Sequence, residues 1–381
     1  MMLMRGATMQ WPWWGRRCLI KRPPYLLCLL YHATAFVASS NFTANNSSSP
    51  GGAIYATARQ LILTNSLITG NTAASGGGVY VWASATAYLT RILVKGNTAE
   101  AYGGGLCVGK KARVVVNSQL HNNTCRTCGG GVYVDDNSAC FLSGTFVSAN
   151  AAVGGGGGGL CTSLSANVSL IHVNITGNRA DNGGGIIMTA NSGVIGQAVL
   201  LDRNAVSGDG GGAGANDNST LRLVGSQIVA NHAARGGGVA VSDDATFELG
   251  TSKVELNRAT KSGGGVFWIS TSLSLPHIRK SVFNNTARYG VDVAVIPVSL
   301  VNTNSRTMEG FVSRLGTNAG LVNVSLLVTG QQGLPSEGFA VQAELDGIIL
   351  AHALSDVDGR ADLHVKVQKP PGAWWLSLRM Q

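Results

Sequence analysis

Three consecutive glycines return along this chain at a near-constant interval, and no other feature limits the fold so tightly. The last glycine of each cluster is Gly52, Gly78, Gly105, Gly131, Gly159, Gly185, Gly212, Gly238, Gly265 and a degenerate Gly290, with spacings of 25 to 28 residues. A second marker keeps the same register: Asn45, Asn71, Asn97, Asn123, Asn150, Asn178, Asn204, Asn231, Asn257 and Asn285, each with an apolar residue three positions before it. Two independent markers at one period imply a solenoid of stacked coils.

Between the markers the residues alternate with period two, the pattern of a strand with one buried face. The first and third positions after each cluster are mostly apolar, as in Val79 and Val81, Leu106 and Val108, Val132 and Val134. A second such pair lies nine and eleven positions on, as in Ala87 and Leu89 or Val114 and Val116, and a third column precedes the asparagine (Ile68, Val94, Leu120, Val147, Ile175). Three short strands per coil predict an all-β parallel β-helix of about ten coils. Every coil turns the same corner directly above the last, so a corner that needs positive φ and has no room for Cβ needs glycine each time. The asparagines are expected to stack their amides into a ladder that satisfies turn backbone groups. Two positions on, a small residue (Ala73, Ala99, Ala152, Ala180, Ala233, Ala259, Ala287) suits a tight inward corner.

The glycine content, 52 of 381, fits disorder as well as a solenoid, but disordered chains lack such periodic apolar positions. Five of the nine net positive charges (Arg5, Arg16, Arg17, Lys21, Arg22) lie in the first forty residues. The rest are spread thinly, so nucleic acid is not an expected partner. The basic start and the short apolar run "YLLCLLYHATAFVASS" predict residues 1–40 as a signal peptide cleaved near Ser39 or Ser40, or as a signal anchor. No other membrane contact is expected. Asn-x-Ser/Thr sequons at Asn41, Asn45, Asn46, Asn122, Asn167, Asn174, Asn218, Asn284 and Asn323 fit a secreted or cell-surface glycoprotein.

"GGGV", "GGGL" and "GGAI", beside "FTAN", "LITGN" and "NITGN", resemble the GGA[ILV] and FxxN repeats of the polymorphic outer-membrane protein family. More broadly they are similar to right-handed β-helix proteins of the pectin-lyase-like superfamily. The resemblance covers about residues 42 to 295 and implies a right-handed β-helix over 41–296. After Pro297 the register stops. Short strands between turns over 297–381 predict a small antiparallel β-sandwich, and "SDVDGRADLHVKV" resembles the strand–turn–strand of Ig-like and transthyretin-like modules. The chain ends directly after a strand, so this module reads as truncated. Asp356-Val357-Asp358-Gly359 lacks the further ligands of a calcium loop and reads as a hairpin turn.

Catalytic signals are thin. The outward column after the glycines (Tyr80, Cys107, Tyr133, Cys161, Ile187, Gly214, Ala240, Phe267, Asp292) holds no carboxylate pair. Asp135-Asp136 and Asp243-Asp244 lie four coils apart, about 19 Å at one strand spacing per coil, whereas glycoside-hydrolysing pairs need about 5 to 9.5 Å. Both pairs are expected in solvated turns. Gly154 to Gly159 matches GxGxxG trivially, and the seven histidines show no metal-ligand spacing, so neither metal nor cofactor is expected. Cys125 and Cys128 are predicted to form a local disulfide, with buried thiols as the alternative. Tyr80, Trp82 and Tyr133 are expected to stand outward on one sheet face, where exposed rings stack on sugars or anchor a partner. The expected function is therefore structural or adhesive: binding of a polysaccharide, cell-surface glycan or protein without catalysis. The alternative, implied by the superfamily resemblance, is a polysaccharide lyase, hydrolase or epimerase.

Overall fold

A computed structural model describes residues 34–57, 59–269, 281–288 and 290–295, and elsewhere the backbone of separate strands with a few turn residues. The chain forms an all-β, right-handed parallel solenoid of about ten turns, with no helix among the described residues. One coil shows the plan. Val79–Val81 leaves the glycines, Thr86–Lys95 forms a long bent strand, and Thr98–Ala99 follows the asparagine corner. Gly103 to Gly105 then lead into Leu106–Val108. Repetition stacks these segments into three parallel sheets: a glycine-side sheet, a bent sheet and a short sheet.

The core is the set of inward columns. Val79, Val81, Ala87, Leu89 and Val94, with their equivalents above and below, belong to one continuous apolar cluster. The small-residue column makes a separate cluster of Ala99, Cys125 and Ala152. The same column also holds Val206, which pairs in register with Ala180, so small size is the rule there but not a requirement.

Positive φ is distributed differently from expectation. The first glycine of a cluster carries it (Gly103, φ 63°), whereas Gly104 and Gly105 have ordinary φ but no space for a Cβ. A second left-handed site lies between the glycine-side and bent sheets, where a two-residue turn has both residues at positive φ: Ala83 and Ser84, Lys110 and Lys111, Asp136 and Asn137, Asp243 and Asp244. The Ser138 N–H donates to Asp135 O at 3.0 Å and closes one of these turns in the type I′ manner. Mostly non-glycine residues hold this conformation because the strands on either side fix it.

The described solenoid begins before residue 41. Thr34–Ala38 pairs parallel with Gln60–Thr64, and Ala35 and Val37 join the core, because "TAFVA" carries the inward alternation of the later coils. The predicted cleavage point near Ser39 or Ser40 therefore falls between two strands of one coil. Further upstream, the backbone of Leu27–Leu29 runs parallel to Ile54–Ala56. No helix among the described residues is long and apolar enough to cross a membrane.

Beyond Pro297 the pairing turns antiparallel. Leu321–Gly330 lies between Pro297–Asn302 and Arg360–Lys366, while Trp374–Met380 pairs with Val312–Leu315 and Ala340–Leu345, and the latter with Ile348–Leu354. The segment 355–359 is not the hairpin expected of it, because it carries the chain from Ile348–Leu354 in one sheet to Arg360–Lys366 in the other; there the Arg360 N–H donates to Asp356 Oδ1 at 2.8 Å.

Candidate functional site

The asparagine column is buried and continuous. At mid-stack, Asn178 Oδ1 accepts from the backbone N–H and from Nδ2 of Asn150 at 2.9 and 3.0 Å. Asn178 Nδ2 donates onward to Asn204 Oδ1 and back to Val147 O, both at 3.0 Å. The same pattern runs through Asn71, Asn97, Asn123, Asn204, Asn231 and Asn257. At the far end Asn285 donates to Asp292 Oδ1, a carboxylate standing where the next asparagine would be. At the near end Asn45 Oδ1 is buried without a partner among the described residues. A hydroxyl column, unanticipated from sequence, runs along the bend of the bent sheet: Ser66 and Ser118 accept from the backbone N–H of Ser40 and Ile92.

Two surfaces present aromatic side chains, and the first is the outer side of the glycine-side sheet. Here the expectation for Tyr80 and Tyr133 is corrected: each is only 7% exposed, and they pack with Cys107, Cys161 and Ile187. In three coils the residue just before the glycine cluster folds over the outward strand residue one coil on. Tyr102 stacks on Tyr133 with ring centroids 4.6 Å apart, Cys128 bonds to Cys161, and Arg235 lies 4.9 Å over the Phe267 ring. Arg235 is itself held by a bidentate pair to Asp209. Tyr80 is sandwiched between Tyr55 and Trp82, which is half-buried.

That diagonal cover also corrects the disulfide. The bridge is Cys128–Cys161, with Cα atoms 5.8 Å apart, not Cys125–Cys128. Cys125 turns into the small-residue corner, where burial pushes its thiol up to about 12; Cys107 and Cys140 are likewise buried free thiols.

Asp135 also departs from the solvated turn expected of it. Its Oδ1 is buried without a partner, the Tyr133 hydroxyl donates to the carboxylate, and the Trp82 ring fills the space that Gly109 leaves open beside it. Burial, opposed by the Tyr133 hydrogen bond and aided by Asp136, pushes its carboxyl up to about 6. A carboxyl whose folded pKa is raised favours folding while protonated and loses that advantage as pH climbs from its ordinary 3.8 through about 6. Asp135→Asn should therefore raise the urea midpoint at pH 7.5 but not at pH 4. The group is partly solvated, so the gain should be on the order of 1 kcal/mol or less. An equal midpoint change at both pH values would show that the buried charge is not its source.

The second surface is a cleft of about 490 Å³ on the bent sheet, within the range of ligand sites. Its floor is Ser66, Ile92 and Ser118, two hydroxyls of the hydroxyl column with an isoleucine between them. One wall is the outward column Asn41, Leu67, Leu93, Gln119 and Phe146, paired coil to coil in that order. Asn65, Arg91, Asn117 and Gly144 complete the lining at the bend. Phe146 is 50% exposed. Beside the cleft a second outward column reads Ile62, Tyr88, Val115 and Phe141, giving way to Ser169 one coil later. The lining thus offers apolar and aromatic surface, amides and one cation, and no carboxylate. Among the described residues no three His, Cys, Asp or Glu side chains gather to hold a metal ion.

Residues 104–287 match a family model described as a right handed beta helix region. This match fits a β-helix of the pectin-lyase-like superfamily. No curated protein and no solved structure matches the chain.

The sequons divide by position. Asn45 is a rung of the ladder, 3% exposed, with Nδ2 donating to Asn71 Oδ1, so the folded coil has no place for a sugar there. Asn41, Asn46, Asn122, Asn167, Asn218 and Asn284 are exposed and Asn174 is half-buried, whereas the Asn323 side chain lies outside the described residues.

Proposed function

We propose that the protein is a secreted or cell-surface adhesive β-helix that binds glycans through the bent-sheet cleft, without catalysing a reaction on them. The observation that carries this reading is Phe146, a half-exposed ring at the end of a cleft lined by amides, hydroxyls and one arginine. Sugars present an apolar ring face and a rim of hydroxyls, and aromatic surface with amide donors and acceptors matches both. The basic, apolar segment before Thr34 serves as the secretory leader in this reading, and a disulfide suits an oxidising compartment. The strands after Pro297 form an Ig-like module, and the repeats are of the polymorphic outer-membrane type.

The full chain, passed over immobilised neutral and acidic polysaccharides with and without calcium, is expected to be retained without cleaving them. Phe146→Ala should weaken retention about three- to tenfold, the worth of one aromatic contact, and leave the fold intact. Unchanged retention would place the ligand elsewhere. The enzymatic alternative draws on Asp135, whose carboxyl is held near 6. Turnover of a polysaccharide that disappears in Asp135→Asn would establish it.

A further inference from the structure

The cleft wall contains a sequon. Asn41 heads the outward column that continues through Leu67, Leu93, Gln119 and Phe146, and one register beyond Phe146 stands Asn174. Asn41 and Asn174 both belong to sequons, but only Asn41 lines the cleft. Its side chain is exposed, and as an outward residue of Asn41–Thr43 it takes no part in the asparagine ladder.

We propose that Asn41 carries an N-linked glycan whose first sugars lie along the cleft, so that the ligand face is occupied in cis by the protein's own carbohydrate. The inference rests on the glycan-binding reading above. In the modification, Asn41 Nδ2 bonds to the anomeric carbon of a lipid-diphosphate-linked oligosaccharide. The glycosyl–phosphate bond breaks, the lipid diphosphate departs, and the amide gives up one proton. The linked nitrogen keeps its remaining N–H. An N-acetylhexosamine leaving Asn41 in the direction of the column meets Leu67 and Leu93 with its ring face, while Asn65 and Asn117 offer amides to its acetamido group and hydroxyls. Asn41 to Phe146 is four strand spacings, about 19 Å, so the glycan begins at one end of the cleft and runs toward the aromatic end.

Tethering supplies the occupancy. A ligand on a short flexible link has an effective concentration in the millimolar range, comparable with the dissociation constants of a single-ring sugar site. A free ligand must displace it, and its apparent affinity falls by the fraction of clefts left open.

The test uses the full chain secreted from a eukaryotic host, with glycopeptide masses read at each sequon. Endoglycosidase should release the Asn41 glycan from the native protein more slowly than those at the turn sequons Asn122 and Asn284, and the difference should vanish on denaturation. Asn41→Gln should bind N,N′-diacetylchitobiose about two- to tenfold more tightly than the glycosylated protein. An unmodified Asn41, or release at the rate of the turn sites, overturns the proposal. Slow release from a protein that binds chitobiose in neither form upholds the occupied cleft and removes the adhesive reading instead.

Discussion

Asn178→Ala is expected to lower stability by about 2 to 5 kcal/mol, because it breaks the ladder on both sides at once. The Asn150 N–H loses its acceptor, Asn150 Nδ2 loses one of two, Val147 O loses its donor from Nδ2, and Asn204 Oδ1 keeps only the backbone donor of residue 178. These groups sit in the interior, where water does not replace the missing partner. Asn45→Ala provides the contrast. Its Oδ1 accepts from nothing among the described residues, and its side chain contributes one donor, to Asn71 Oδ1. The end-rung variant should lose about 1 kcal/mol. Urea denaturation of both reads the difference directly, and equal midpoints would mean that the amides stack without supporting one another.

The parts of the fold legible in the sequence are those that repeat inward. Val81, Leu89, Val94 and Asn97 face the same neighbours in every coil, so the chain writes them at a fixed period, and their columns give the strands and the corner. Outward residues answer to a neighbour one coil away on the diagonal, which changes from coil to coil. Tyr102 over Tyr133, Cys128 with Cys161 and Arg235 over Phe267 are three chemistries at one geometric station. No period announces them, and the closeness of Cys125 to Cys128 in sequence points to the wrong pair. Their spacing hides that Cys125 faces the small corner while Cys128 lies over the sheet. The column beside the cleft was legible: Tyr88, Val115 and Phe141 each stand ten residues after a glycine cluster, between two inward positions, an apolar column where polar residues are the rule for a solvated face. Of the left-handed pairs, Asp136-Asn137 and Asp243-Asp244 carry a turn signal, whereas Lys110-Lys111 carries none, since there stacked strands rather than local preference impose the conformation.

Two alanine substitutions separate the reasons this chain uses glycine. Gly96 has φ +63° with nothing within 4 Å of the position a Cβ would take, so Gly96→Ala meets only the left-handed backbone penalty, about 1 to 2 kcal/mol. Gly104 has an ordinary φ, but a Cβ there would lie 2.5 Å from Thr124 O and 2.5 Å from Gly130 O. Those atoms are backbone of the next coil, and the Thr124 N–H and Gly130 O are tied into the stack by bonds to Asn97 O and from the Gly105 N–H. Neither can move by a rotamer change. Relief requires prising two coils apart at the corner, with loss of several parallel hydrogen bonds, so Gly104→Ala should lose about 4 kcal/mol or more and disturb the flanking coils as well. The two variants differ by one methyl each, at positions eight residues apart in one coil. Thermal denaturation with amide exchange across residues 97 to 132 distinguishes them: Gly96→Ala should shift the midpoint modestly and leave protection in place, and Gly104→Ala should open the corner on both sides. If Gly96→Ala proves the more damaging, backbone conformation rather than the closeness of adjacent coils governs where glycine is required.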